Sequence, residues 1–367
     1  MNLDLDDAAL AFRAEVREWL AAHAPAAPLP SVDTPEGDAA HREWERALAK
    51  ARLSAVSWPA EYGGRDAPPL HWLLFEEEYH AAGAPVRVGQ NGLFLLAPTL
   101  LAHGTPEQRR RVLPRIARAD DVWAQAWSEP DAGSDLAAIR SRATRVDGGW
   151  RLDGQKTWSS RAAHADRAFG LFRTAGERHR GLTYVMFDLR AGGVTVRPIR
   201  QLGGGAGFAE IFLDGVFVPE ADVIGAPGDG WRVAMSTAGH ERGVTLRSPG
   251  RFRAAAHRLV RLWRESEDPA LRDRVADAWI AAQAYRLYGF ASLDQPPGRY
   301  AGSLSKVYWS ELDIALHETA LDLLGPRAEL GGDWLDGYLF ALAGPIYAGT
   351  NEIQRSVIAQ RILGLPR

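Results

Sequence analysis

The chain has 367 residues, 46% of them apolar and 24% charged, which is ordinary for a globular protein large enough to bury two or three structural units. Its formal charge of −3 offers no basic field for nucleic acid, and the arginines are scattered along the chain instead of forming a stripe. The absence of cysteine excludes disulfides, thiolate metal sites and cysteine nucleophiles.

In chain order, helix comes first. Leu5, Ala9, Phe12, Val16 and Leu20 repeat near the helical period, with Asp4, Asp6 and Asp7 at the end where negative charge suits the helix dipole. The opening segment lacks the basic-then-apolar order of a signal peptide, and no stretch approaches the ~20 apolar residues of a membrane span, so a soluble cytoplasmic protein is expected. After a proline-rich break at Ala24 to Pro30, helices are expected over His41 to Leu53 and His71 to Ala82. Gly63, Gly64, Pro68 and Pro69 form the loop between them.

The pattern changes near Val122 to short alternating runs: Ser141 to Val146, Trp150 to Leu152, Arg167 to Arg173, Leu182 to Leu189, Val194 to Ile199 and Glu210 to Phe217. Asp147-Gly148-Gly149 reads as a hairpin turn between the first two. From Gly230 the helical period returns, over Trp231 to Val244, Phe252 to Glu265, Pro269 to Leu293, Ser303 to Leu324 and Asn351 to Leu363. The expected class is α+β: an N-terminal helical domain (1–121), a middle β-sandwich or barrel (122–225) and a C-terminal four-helix bundle (226–367).

Three segments carry candidate chemistry. Trp127-Ser128-Glu129-Pro130-Asp131-Ala132-Gly133-Ser134-Asp135 combines turn residues with hydroxyls and free backbone N–H groups, suited to a ligand and equally to a polar loop opening a β domain. In Lys156-Thr157-Trp158-Ser159-Ser160, a Trp followed by hydroxyls suits a wall for a planar ring, or a core Trp. Ile346-Tyr347-Ala348-Gly349-Thr350-Asn351-Glu352 reads as a freed backbone leading into a helix start, a place for an electron-rich group or simply a helix cap.

Together these segments resemble the acyl-CoA dehydrogenase family, nearly end to end. Trp58-Pro59-Ala60-Glu61-Tyr62-Gly63-Gly64 is similar to its WPxEYGG-like loop, Ser128 to Asp135 to its T/S-E-P-x-A-G-S-D signature, and Lys156 to Ser160 to its K-x-W-x-T/S signature. Asp214 to Pro219 resembles its D-x-V-x-V-P strand, and Gly349 to Arg355 its G-T-x-x-I-Q-R helix start. The resemblance implies FAD, with Gln125, Ala126, Trp127, Ser128, Gly133, Ser134, Trp158, Ser159 and Ser160 around the flavin and Thr350 and Glu352 beside the rest of the cofactor. It implies an acyl-CoA or acyl-carrier thioester met by Ser134, Arg242 and Gly349, and an electron-transfer flavoprotein as acceptor, with an O₂-using oxidase as the rival. No metal, nucleic acid or membrane is implied.

The chemistry requires a carboxylate to take the α proton. In one branch of the family that Glu stands between the Tyr and the Gly of the C-terminal motif, where this chain has Ala348. Its backbone N–H, which in the family holds the thioester carbonyl, survives the substitution. In the isovaleryl- and long-chain-type branch the Glu precedes an Arg on an earlier helix, and Gly239-His240-Glu241-Arg242-Gly243 matches. Glu241 is thus the expected base and Arg242 its neighbour in the pocket, against the alternative of a solvated pair on a helix face; His240 has a weaker claim.

Two family segments are missing. Trp263 to Arg274 lacks the Arg-Phe-Gly pattern, and Asp322 stands where a Gln would help hold the adenine end of FAD. These departures resemble an actinobacterial branch in which some members form mixed tetramers. A homo-oligomer is expected, dimer or tetramer, with a mixed tetramer or a partner-dependent, non-catalytic subunit as alternatives. The apolar faces at Ile280 to Phe290 and Ser303 to Leu324 are its expected core.

Overall fold

The computed structural model describes residues 4–242, 245–294 and 301–366. Five helices open the chain: α1 (Asp7–His23), α2 (Pro35–Lys50), α3 (Pro69–Ala81), α4 (Ala97–His103) and α5 (Pro106–Ala117). Eight strands follow: β1 (Trp123–Ala126), β2 (Arg142–Val146), β3 (Gly149–Ser160), β4 (Arg167–Arg173), β5 (Leu182–Asp188), β6 (Val194–Ile199), β7 (Phe208–Pro219) and β8 (Val223–Ile224). Helices then resume: α6 (Gly230–Glu241), α7 (Pro249–Ser266), α8 (Arg272–Asp294), α9 (Ala301–Leu324), α10 (Asp333–Ala341) and α11 (Asn351–Val357).

These elements form two compact units that do not follow the chain end to end. One gathers Met1–Ala26, Ala67–Ala84 and Glu241–Arg367; the other gathers Ala27–Asp66 and Pro85–His240. In the first, α1 buries Ala9, Phe12, Val16 and Leu20 of the stripe expected from the sequence, while Leu5 lies ahead of the helix; the Asp6 carboxylate caps it by accepting from Ala9 N at 2.8 Å. Its bundle core is Phe252, Ala256 and Leu259 of α7, Ala282 and Tyr285 of α8, and Trp309, Leu312 and Leu316 of α9. Glu77 and Glu78 of α3 are buried, and Arg13, Arg17, Arg253 and Arg286 converge on them. That ring of guanidinium groups is what lets two adjacent carboxylates leave water.

In the second unit the sheet runs β6-β7-β3-β2-β4-β5-β8, with β1 parallel to β4. The β2–β3 hairpin turns through Asp147-Gly148 as expected; Val146 pairs with Gly149, and Gly148 takes φ 73°, a left-handed value glycine adopts without strain. β3 and β7 are each 12 residues long and antiparallel, which extends β7 beyond the Glu210 to Phe217 stretch read from the sequence. Leu152, Phe172, Val185, Phe187, Ile211 and Val218 fill the interior. β1 and the early start of α2 at Pro35, where Thr34 caps the helix, are elements the sequence pattern did not announce.

Candidate active site

The expected flavin-facing residues all lie in the sheet unit. β1 ends at Ala126, and the chain continues through Trp127 and Ser128, whose carbonyl accepts from Thr157 N at 2.9 Å. The two signatures are therefore hydrogen-bonded neighbours. Beneath them lies an ion pair that sequence reading did not single out. Lys156, with no exposed surface, donates to Glu129 Oε1 at 2.8 Å, to the Leu171 carbonyl at 2.7 Å and to the Trp127 carbonyl at 3.4 Å. Glu129 also accepts from the backbone N–H groups of Arg140 and Ser141 at 2.6 and 2.9 Å.

Burial pushes the Lys156 ammonium down to about 8, against the pull of Glu129. Burial also opposes ionisation of Glu129, but the Lys156 charge and the Arg140 and Ser141 contacts hold its carboxyl below the usual range. The signal for this pair was present in the sequence, as two ionisable residues inside otherwise small and polar motifs.

Trp158 stands above this tie. The pairing of β3 with β7 slips between Lys156 and Ser159, opposite Ile211 and Ala209, so one extra residue bulges from β3. Trp158 occupies the bulge at φ 57° and leaves its ring 59% exposed, edge-on to Phe208. A core role for this Trp is thereby ruled out. A bulky residue held at positive φ with its ring in the open is a strained arrangement of the kind found where a fold presents a side chain to a ligand.

Gln125, Ser128 and Ser160 are half-buried, Ala126, Trp127 and Ser159 are buried, and Gly133 and Ser134 are exposed. The buried Trp127 Nε1 and Ser159 Oγ have no hydrogen-bond partner among the described residues. An exposed indole face beside half-buried hydroxyl and amide groups fits a planar, hydrogen-bonding ring such as a flavin.

The other expected residues lie in the helical unit. Glu241 is the last residue of α6, half-buried, and Arg242 follows it; Gly243 and Val244 fall outside the described residues. Arg242 Nε donates to the Ala348 carbonyl at 3.1 Å across a sequence separation of 106. Gln354 Nε2 approaches the same oxygen at 3.5 Å. Ala348 and Gly349 both take left-handed backbone angles, φ 58° and 81°. With its carbonyl turned toward Arg242, the Ala348 N–H donates to no group among the described residues.

Glycine suits this bend, where φ is 81°. A Cβ there would stand 2.4 Å from Gln354 Nε2. Burial pushes the Arg242 guanidinium below its ordinary value, opposed by the charge of Glu241. Thr350 caps α11 by accepting from Ile353 N at 3.3 Å, and Glu352 is exposed on its first turn. His240 is held below its ordinary value by burial and by His103. Among the described residues no group of His, Asp and Glu is placed to hold a metal, and no helix is long and apolar enough to cross a membrane.

Three family profiles match consecutive stretches: the acyl-CoA dehydrogenase N-terminal domain over residues 6–120, middle domain over 124–216 and C-terminal domain over 228–363. The chain belongs to the acyl-CoA dehydrogenase family. That family is one of flavoprotein oxidoreductases, and its fold is the α+β arrangement expected from the sequence. Among curated relatives, acyl-CoA dehydrogenase IpdE1 of Mycobacterium tuberculosis (strain ATCC 25618 / H37Rv) is 42% identical over 376 residues, with 97% of each chain covered. Among solved structures, the Tcur3481-Tcur3483 steroid ACAD superposes with a TM-score of 0.87 at 26% identity, and the ChsE4-ChsE5 complex from Mycobacterium tuberculosis with 0.85 at 28%. Both matches cover 100% of each chain.

Proposed function

We propose that this acyl-CoA dehydrogenase removes the α proton and β hydride of an acyl thioester through Glu241, with FAD as its cofactor. The observation that carries this reading is the Arg242–Ala348 bond, which ties the Glu-Arg pair at the end of α6 to the C-terminal motif within one unit.

Glu241 takes the α proton. The Ala348 N–H, unused among the described residues, donates to the thioester carbonyl and stabilises the negative charge that grows there as the proton leaves. Arg242 fixes the peptide so that this N–H keeps its direction, and Gly349, lacking a Cβ, lets the side chains of Gln354 and Arg242 close against the bend. FAD, when bound, supplies the acceptor for the β hydride. Trp158 walls its ring, with Gln125 to Ser128, Gly133, Ser134, Ser159 and Ser160 around it, while Thr350 and Glu352 serve the remainder of the cofactor. Ser134, Arg242 and Gly349 meet the substrate, whose carrier is CoA or an acyl-carrier protein.

An electron-transfer flavoprotein is the proposed acceptor. A stable oligomer is supported by Trp279, Ile280, Leu287, Leu304 and Tyr308, large apolar side chains left exposed on α8 and α9. The names of the two solved relatives pair two different chains, which favours a mixed assembly as the alternative to a homotetramer.

The test is anaerobic. The purified protein should carry a yellow chromophore that an acyl-CoA bleaches, and Glu241→Gln should abolish bleaching while the chromophore stays bound. Undiminished bleaching in Glu241→Gln would remove Glu241 as base, and rapid reoxidation in air would assign an oxidase.

A further inference from the structure

Several arginines of the helical unit are matched to a carboxylate, and the half-buried Arg242 to the Ala348 carbonyl. Arg251 pairs with Asp313 at 2.7 Å, Arg274 with Asp322 at 2.5 Å, Arg253 and Arg286 with Glu77, and Arg355 with Glu311. Arg247 is different. Its guanidinium lies over the rings of Trp309 and Tyr347, at 4.9 and 4.8 Å from their centroids, and it makes no ion pair among the described residues. Among the described residues its Nε is buried without an acceptor, and the buried Tyr347 hydroxyl has no hydrogen-bond partner. The Arg247 carbonyl, by contrast, accepts from Tyr285 at 2.9 Å, which fixes the backbone from which the side chain projects.

The surroundings sharpen the anomaly. Lys306, without exposed surface, is held by the Pro345 carbonyl and Asn351 Oδ1 at 3.0 and 2.6 Å, two uncharged acceptors. Burial, with repulsion from Arg242, Arg247 and Arg355, pushes it down to about 8, against the pull of Glu352. Around Tyr347 and Ala348 the charges of Arg242, Arg355 and Lys306 are opposed by those of Glu241, Glu311 and Glu352, and among the described residues Arg247 is left without a carboxylate of its own. Uncompensated cations are costly where water is scarce, and aromatic faces relieve only part of that cost.

We propose that Arg247 binds a carboxylate carried by the acyl group of the substrate. The inference rests on the reading above that Ala348 N–H holds the thioester carbonyl: Tyr347, on which Arg247 leans, is the residue immediately before it. A planar guanidinium stacked on two rings presents its remaining N–H groups in the fork that carboxylates match. The preferred substrates are then CoA thioesters of acids bearing a second carboxylate.

The test compares chain-matched pairs, beginning with hexanoyl-CoA and the mono-CoA thioester of hexanedioic acid, by equilibrium binding to the purified protein in the assembly in which it is isolated, with free CoA as a third probe. The unaltered protein should bind the diacid thioester about 10- to 100-fold more tightly, the range of one charge-assisted hydrogen-bonded contact. Arg247→Met should collapse the ratio toward one, and Arg247→Lys should keep part of it. Equal binding by the unaltered protein overturns the proposal, even if Arg247→Met fails to fold. So does an Arg247→Met effect equal for both thioesters and free CoA, which would assign Arg247 to the CoA phosphates. Turnover that survives Glu241→Gln would instead defeat the underlying reading; loss of turnover in that variant with equal binding of the pair defeats the Arg247 proposal alone.

Discussion

Lys156 and Glu129 meet at 2.8 Å inside the sheet unit, each from a different signature of the family, and the pair fastens both signatures to β4 through the Leu171 carbonyl. Removing one partner strands the other charge in a dry site. Lys156→Met or Glu129→Gln should each cost about 3–5 kcal/mol, and the double replacement less than the sum. Urea unfolding of the three variants measures this. A sum of independent effects would mean that the two groups do not act as a pair.

Trp158 should behave in the opposite way. With its ring 59% exposed, Trp158→Ala removes little buried area, and relief of the positive φ is small, so stability should stay within about 0.5 kcal/mol. Flavin retention through gel filtration should nevertheless fall several-fold. Equal retention would separate Trp158 from the cofactor.

At the other motif, Gly349→Ala places a methyl 2.4 Å from Gln354 Nε2 on a left-handed backbone. The expected cost is about 1–3 kcal/mol, with turnover reduced beyond what the loss of folded protein explains. Thermal unfolding and single-turnover bleaching of the same preparation separate the two effects.

Stability should also fall with acidity above the carboxylate range. Burial lowers His103, His240, His257 and His317 below the ordinary 6.5. The unfolded chain therefore takes up protons at these sites first as pH drops through 6.5, and the folded state loses ground by at most about 1.4 kcal/mol per pH unit for each. Below about 4.5 the loss steepens, because Glu129, whose folded carboxyl is lowered, contributes stability only while ionised. Urea midpoints between pH 5 and 8 test the first part; a flat profile there would contradict it.

Much of this was legible in the sequence where local rules act alone. The α1 stripe follows from helical period, and the hairpin from Asp147-Gly148, because each depends on neighbours a few residues away. The expected helix over Trp231 to Val244 corresponds to α6, Gly230–Glu241, whose last residue is Glu241. Hidden were features decided by distant partners. Lys156 and Glu129 each stand out within their own motif, but nothing local says that they meet across 27 residues, and nothing near Arg242 announces the Ala348 carbonyl. The bulge that exposes Trp158 arises from unequal lengths of β3 and β7 between shared hydrogen bonds. β1 is only four residues long, too short for an alternating pattern to register.

The helical unit is assembled from the two ends of the chain, α1 and α3 with α7 to α11, while the sheet unit occupies most of what lies between. A ribosome therefore releases α3, with Leu73, Leu74 and Phe75 facing the future core, long before α7 exists to cover them. The sheet unit can condense during synthesis, but the first helices must wait for about 170 further residues, a period of roughly ten seconds or more at typical elongation rates. The nascent chain is thus most exposed to aggregation and proteolysis midway through translation, and pauses in the 3′ third of the message should lower the yield of folded protein more than pauses near the start.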